Sequence, residues 1–147
     1  MIDHIDRSIL RLLIRSARYS LKQLAALASL PEHVATERLR RMEEHQVIFG
    51  YFPDLNPVKL GHTLQAIVQI RPMPGRVQAV RALIEATPEI VECDMVSGDE
   101  HFVARLLARS TEHLDTIVQR LATHATTSTA IVKNQVIPRR PPPIAPD

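Results

Sequence analysis

The sequence predicts an α+β protein: a winged helix-turn-helix unit, followed by a ferredoxin-like β-α-β-β-α-β domain. Three observations predict this class. Ser20 to Tyr51 contains two short helical patterns across the break Ser29-Leu30-Pro31. Two helices joined by about three to four turn residues are the sequence form of a helix-turn-helix. A region dense in turn residues, Pro53-Asp54-Leu55-Asn56-Pro57, then divides the chain. Beyond it, strand and helix patterns alternate in the split β-α-β order.

The helices come first. Ile5, Ile9, Leu12 and Leu13 recur at i, i+4, i+7 and i+8, an amphipathic stripe that Leu10 and Ile14 widen. Asp3 is placed to cap this helix. Arg7, Arg11, Arg15 and Arg18 lie on its outer face or late in it, where cations suit the dipole. Ser20 and Gln23 have capping-box spacing at the start of a second helix, with Leu21, Leu24, Ala25 and Ala28 periodic. A third helix runs from Pro31 or Glu32 to Glu44. Ala35, Leu39 and Met42, with Val34, form its buried side, and Glu32, His33, Thr36, Glu37 and Arg40 face outward. Pro31 stands at the helix start either as an uncapped N-cap or at position N1 behind Leu30. Val47 to Tyr51 is β-branched and aromatic and reads as a strand.

The second half follows a linker placed at 52–62 and is placed at 63–137. Strands are expected at Thr63–Arg71, Ile90–Val96, His101–Ala108 and Thr129–Ile137. Helices are expected at Arg76–Ala86 and from Ser110 or Thr111 to His124. An antiparallel sheet with helices on one face leaves its other face for a partner subunit. Residues 138–147, PRRPPPIAPD starting at Pro138, are half proline and read as an extended or disordered tail. A ligand for proline-recognising domains is the alternative.

Composition bounds the function. The 147 residues suit one average domain or two small ones. Trp is absent, so Leu, Val, Ile and Ala must build the core. The net charge of +2 neither demands nor forbids an acidic partner. Residues 1–51 hold eight Lys/Arg against six Asp/Glu, and the rest balances at ten and ten. The excess thus sits in the helix-turn-helix segment, as nucleic-acid binding requires. The single cysteine, Cys93, excludes an intrachain disulfide and fits a reducing cytoplasm. No apolar run approaches the roughly 18–20 residues of a membrane span. Asp3 and Asp6 stand where a signal peptide would be basic and then apolar.

Candidate chemistry is concentrated in two places. On the third helix, His33, Thr36 and Arg40 are donors for base edges, and Arg takes the guanine edge in bidentate fashion. Arg38 and Arg41 lie on a flanking stripe, suited to phosphate or to ion pairs with Glu37, Glu43 or Glu44. Ser20, Lys22 and Gln23 open the second helix, where backbone amides also meet phosphate. With Glu32, these form the DNA-facing set; Glu32 and Glu37 oppose phosphate unless paired. The second place is the polar turn Ser97-Gly98-Asp99-Glu100-His101 between two apolar strands, either a plain hairpin or a ligand loop.

Other chemistry is not indicated. The seven histidines lack HxxxH-type spacing, and Cys93 has no second cysteine. Cys93, Asp99 and His101 fall near one hairpin, but paired strands bring such residues together without a metal. There is no GxSxG, phosphate loop or Gly-rich dinucleotide turn among four glycines. No catalytic set, metal or cofactor is expected.

Taken in order, Ile5-Asp6-Arg7-Ser8-Ile9-Leu10, Arg18, Leu24-Ala25, Leu30, Val34, Arg38, Arg40-Arg41-Met42-Glu43, Val47-Ile48 and Gly50-Tyr51 resemble the DNA-binding half of Lrp/AsnC transcriptional regulators. Leu55-Asn56-Pro57, Leu60-Gly61, Cys93 and Val96-Ser97-Gly98-Asp99 continue the resemblance, which spans Ile2 to Ile137. It implies a sequence-specific regulator of double-stranded DNA. It also implies a C-terminal domain that dimerises through its sheet and assembles further, commonly to octamers, with an amino acid or related effector held between dimers near Ser97-Gly98-Asp99. Three positions depart from the pattern: His101 replaces an acidic residue suited to a ligand ammonium, Gln46 replaces a glycine and Pro31 a capping serine. Sirohaem decarboxylases are similar in layout, but the hairpin CDMVSGDEHFV lacks their His-Asn-Tyr-x-Arg type of run. An effector-binding partner whose DNA-binding helix has lapsed is a third reading.

Overall fold

The structure, a computed structural model, describes residues 2–98 and 101–145. Its elements are α1 (His4–Arg15), α2 (Leu21–Leu27), α3 (Glu32–Glu44), β1 (Leu64–Pro72), α4 (Val77–Glu85), β2 (Ile90–Val96), β3 (His101–Ala108), α5 (Thr111–Ala122) and β4 (Ala125–Ile131). Two compact units result. The first comprises the described residues of Met1–Asp54 and Ile137–Asp147, the second those of Leu55–Val136.

In the first unit, Ile9, Leu24 and Met42 form the buried centre, one from each helix. Ile5, Leu10, Leu12, Leu13, Tyr19, Leu39 and Ile48 pack around them. Asp3 caps α1 as expected: its side chain accepts from the Ile5 and Asp6 amides, both at 2.9 Å. The Asp6 carboxylate accepts in return from the Asp3 amide at 3.1 Å. The capping box of α2 is also present, with the Gln23 amide donating to Ser20 Oγ and the Ser20 amide to Gln23 Oε1.

Both α2 and α3 end in Schellman motifs. Leu30 N donates to Ala25 O and Ser29 N to Ala26 O; Val47 N donates to Met42 O and Gln46 N to Glu43 O. Ser29 and Gln46 occupy the left-handed position, each at φ 55°. Gln46, which departs from the glycine of the resembled pattern, therefore carries a side chain in a left-handed conformation. At the other end of α3, Pro31 is the N-cap, at φ −60° and ψ 144°, with no side-chain cap.

The expected strand at Val47–Tyr51 does not form. These residues run as irregular chain, and their first amides satisfy the end of α3 instead of pairing with a strand. A β-ladder needs a partner, and no described residue of the first unit is in a strand.

The second unit is a four-stranded antiparallel sheet in the order β2-β3-β1-β4. The alternation of β3 is regular: Phe102, Ala104, Leu106 and Ala108 are buried, and the intervening residues are not. They meet Ala66, Val68 and Ile70 of β1, Val80 and Ile84 of α4, and Leu114, Ile117 and Leu121 of α5. Ser110 is the cap of α5, its Oγ accepting from the His113 amide at 3.2 Å. The last strand starts at Ala125, earlier than the expected Thr129, and stops at Ile131. As an edge strand of small polar residues, ATTSTAI carries little apolar alternation, whereas the more apolar Val136 and Ile137 are exposed.

Candidate functional site

Helix α3 presents the face its spacing predicts. Glu32, His33, Thr36, Glu37 and Arg40 are exposed, while Ala35 and Met42 are buried. Packing of Leu39 and Met42 against the other two helices fixes that orientation. The Thr36 hydroxyl donates to Glu32 O at 2.8 Å. Its oxygen remains a possible acceptor.

The arginines of α3 are differently employed. Arg40 spans its own helix, donating to Glu37 at 2.7 and 3.2 Å and also pairing with Glu44. These bonds hold the Glu37 carboxyl below the usual range and raise Arg40. All three side chains are more than half exposed, so the exchange of one partner for another costs little.

Arg38 and Arg41 do not pair with Glu37, Glu43 or Glu44, the partners that α3 spacing suggested. Both reach back to α1. Arg38 Nη1 donates to Asp3 Oδ2 at 2.6 Å and to Asp6 Oδ1 at 2.9 Å; Arg41 Nη2 donates to Asp6 Oδ2 at 2.9 Å. Asp6 is only 1% exposed, and two guanidinium groups answer its buried charge. The Arg38 bond, reinforced by the Asp6 amide, lowers the Asp3 carboxyl to about 2. Asp3 was legible only as a local cap, and Asp6 carried no structural reading, because partners more than thirty positions away leave no periodic signal.

Ser20, Lys22 and Gln23 lie at the start of α2, with Lys22 and Gln23 exposed to solvent. The chain beyond α3 is tied to it by the Tyr51 hydroxyl, which donates to Glu43 Oε1 at 2.9 Å. Burial, then the Glu43 carboxylate, pushes this phenol up to about 12, so it remains a donor.

The hairpin places only part of the second predicted set. Ser97 and Gly98 are exposed in the turn, with Gly98 at φ 109°, a conformation that favours glycine. Asp99 and Glu100 lie outside the described residues. His101, the first residue of β3, faces the side of the sheet opposite the helices. There it lines a depression of about 250 Å³ with Gln69, Arg71, Thr126, Thr127 and Ser128. Those five residues were not among the sequence candidates, although the strand registers bring them there. Cys93 pairs with the buried Ala104, so it projects to the other face from His101. Among the described residues, no group of His, Cys, Asp and Glu is arranged to hold a metal.

Residues 2–43 match the AsnC-type helix-turn-helix domain, and residues 65–142 match the Lrp/AsnC ligand binding domain. The chain belongs to the Lrp/AsnC family. It is 34% identical to the HTH-type transcriptional regulator LrpA of Mycobacterium tuberculosis, over 87% of this chain and 86% of that one. To the regulator LrpA of Pyrococcus horikoshii it is 30% identical, covering 80% and 84%. The fold agrees with that of Bacillus subtilis LrpC at a TM-score of 0.89, 23% identity, covering 95% and 99%. A feast or famine regulatory protein of M. tuberculosis, complexed with L-methionine, aligns at 0.88 and 32% identity, covering 96% and 98%. This Lrp/AsnC chain is accordingly a helix-turn-helix transcriptional regulator with a ferredoxin-like second domain. No helix among the described residues is long and apolar enough to cross a membrane.

Proposed function

We infer that this regulator acts in the cytoplasm as a homodimer or higher oligomer, such as an octamer, on paired DNA half-sites. His33, Thr36 and Arg40 read base edges in the major groove, while Ser20, Lys22 and Gln23 meet phosphates. The observation that carries this reading is the outward stripe His33-Thr36-Arg40 on a helix fixed behind its turn. Arg38 and Arg41 serve mainly to hold that helix on α1, since their donors are directed at Asp3 and Asp6. Glu32 beside them disfavours wrong registers by repelling phosphate. The sheet face opposite the helices, with Ile67, Val103 and Leu107 half-buried on it, suits a second copy.

An amino acid or related metabolite binds near the hairpin, between dimers, and shifts the assembly by its preference for one state. The methionine held by the related M. tuberculosis protein supports an effector of this size. His101, in place of a carboxylate, makes the contact to a ligand ammonium weaker than that of an acidic residue.

The test is binding of the full chain to a duplex from its own upstream region and to an unrelated duplex, with and without a panel of amino acids. Preference for the first duplex that disappears in His33→Ala/Arg40→Ala is expected. Equal affinity for both duplexes would reject sequence-specific reading.

A further inference from the structure

We propose that Arg139 and Arg140, in the proline-rich stretch, form a phosphate-binding element of the DNA-binding unit outside its helix-turn-helix. This rests on the DNA-binding reading above and adds a phosphate clamp to it. The charge of α3 motivates it. The helix carries four Glu against three Arg, and all three arginines are held by carboxylates. Such a helix can read bases, but it contributes little general attraction to a polyanion, which comes from cations that displace counterions.

The proline stretch supplies such cations: although the ligand-domain match runs on to residue 142, the stretch packs with the first unit. The described residues of Ile137–Asp147 group with those of Met1–Asp54 in one compact body. Eight Lys/Arg oppose seven Asp/Glu in 1–54; including 137–147 makes it ten against eight, so the net charge rises from +1 to +2. Ile144 is half-buried while Pro141, Pro142, Pro143 and Ala145 are exposed. Arg139 and Arg140 are exposed, and neither joins an ion pair among the described residues. Pro138 before them and three prolines after them fix φ and remove amide donors, which keeps the segment extended and stiff. Two guanidinium groups on a stiff segment lose less freedom on meeting phosphate than on a flexible one, and Arg pairs with phosphate in bidentate fashion.

The experiment compares the full wild-type chain with Arg139→Ala/Arg140→Ala and Arg139→Lys/Arg140→Lys. Binding to the upstream and unrelated duplexes is followed by fluorescence anisotropy from about 50 to about 200 mM KCl, the range over which phosphate binding is strongly titrated. The alanine variant should bind both duplexes more weakly at low salt. Its plot of log affinity against log salt should be shallower by about 0.9 for each phosphate no longer neutralised, hence about 1.8 per chain and roughly tenfold less salt sensitivity over that range. The lysine variant should keep most of the slope. Unchanged affinity and slope in the alanine variant, with the wild type binding DNA, would overturn this inference alone. An effect confined to one duplex, or a lysine variant as impaired as the alanine one, would also overturn it. Failure of the wild type to bind either duplex at the lowest salt would overturn the DNA-binding reading as well.

Discussion

Arg38 Nη1 lies 2.9 Å from Asp6 Oδ1, a bond across thirty-two positions that fastens α3 to the first turn of α1. Arg41, nearly one turn later, bonds the same carboxylate. Asp6→Ala would leave two guanidinium groups without their shared acceptor and break the Asp3 capping box. A loss of about 2 kcal/mol is expected, less than for a fully buried pair, because Arg38 keeps its bond to Asp3 and Arg41 is about half exposed. Urea unfolding of the variant against wild type, followed by circular dichroism, measures it.

Acid should weaken the same corner. The Asp3 carboxyl is held down to about 2 by Arg38 and the Asp6 amide, against an ordinary value of 3.8. A depressed folded-state value means that its stabilisation is complete above the unfolded value and declines as pH falls through the folded one. The loss should therefore fall between about pH 4 and pH 2. Asp3→Asn should be less stable than wild type at neutral pH, with the difference shrinking across that window. A difference constant from about pH 5 to pH 2 would contradict this origin.

The left-handed positions offer stabilising substitutions. Gln46 and Ser29 both sit at φ 55° and carry side chains where glycine is unstrained. Gln46→Gly should raise stability by about 1 kcal/mol, the scale of the left-handed penalty less the added freedom of the unfolded glycine. Thermal melting should move upward by a few degrees; a lowered melting temperature would show that the Gln46 side chain has a compensating role.

On DNA, the proposed recognition stripe should act on specificity. Arg40→Ala is expected to cost about 1–3 kcal/mol on the preferred duplex, as one bidentate base contact does. The exposed Glu37 and Glu44 it leaves remain solvated, so folding should change little. Equal weakening on preferred and unrelated duplexes would assign Arg40 to phosphate.

At the hairpin depression, His101→Glu should restore a carboxylate beside the proposed effector. Tighter binding of an amino acid at neutral pH, by several-fold in calorimetry, is the expected outcome. No change, with wild-type oligomeric state, would place the ammonium elsewhere.

Much of the fold was legible in local pattern. The caps at Asp3, Ser20 and Ser110 follow from one side chain and the spacing after it. The alternation of β3 and the periodicity of α5 likewise name their own buried faces. What local pattern missed depends on distant partners. Val47–Tyr51 has strand composition, but forms no strand in this chain. The start of β4 is set by the register Pro72↔Ala125, not by its own hydrophobicity. Arg38 and Arg41 looked like phosphate or intrahelical ligands until α1 supplied Asp3 and Asp6. The exposed stripe of α3 was legible because it is the complement of a buried one.

The acid-balanced surface of α3 also bears on how such a regulator can diversify. If α3 reads DNA as proposed, operator preference and overall grip on DNA would reside on different side chains, since that helix carries no net positive charge. Exposed positions such as His33 and Thr36 can then be exchanged among polar residues with little change in residence on unrelated DNA. The inward seam beneath them, Ala35, Leu39 and Met42, stays intact through such changes. A new binding site would thus be reached by rewriting a few surface letters, with neither refolding of the domain nor wholesale retention at the wrong loci.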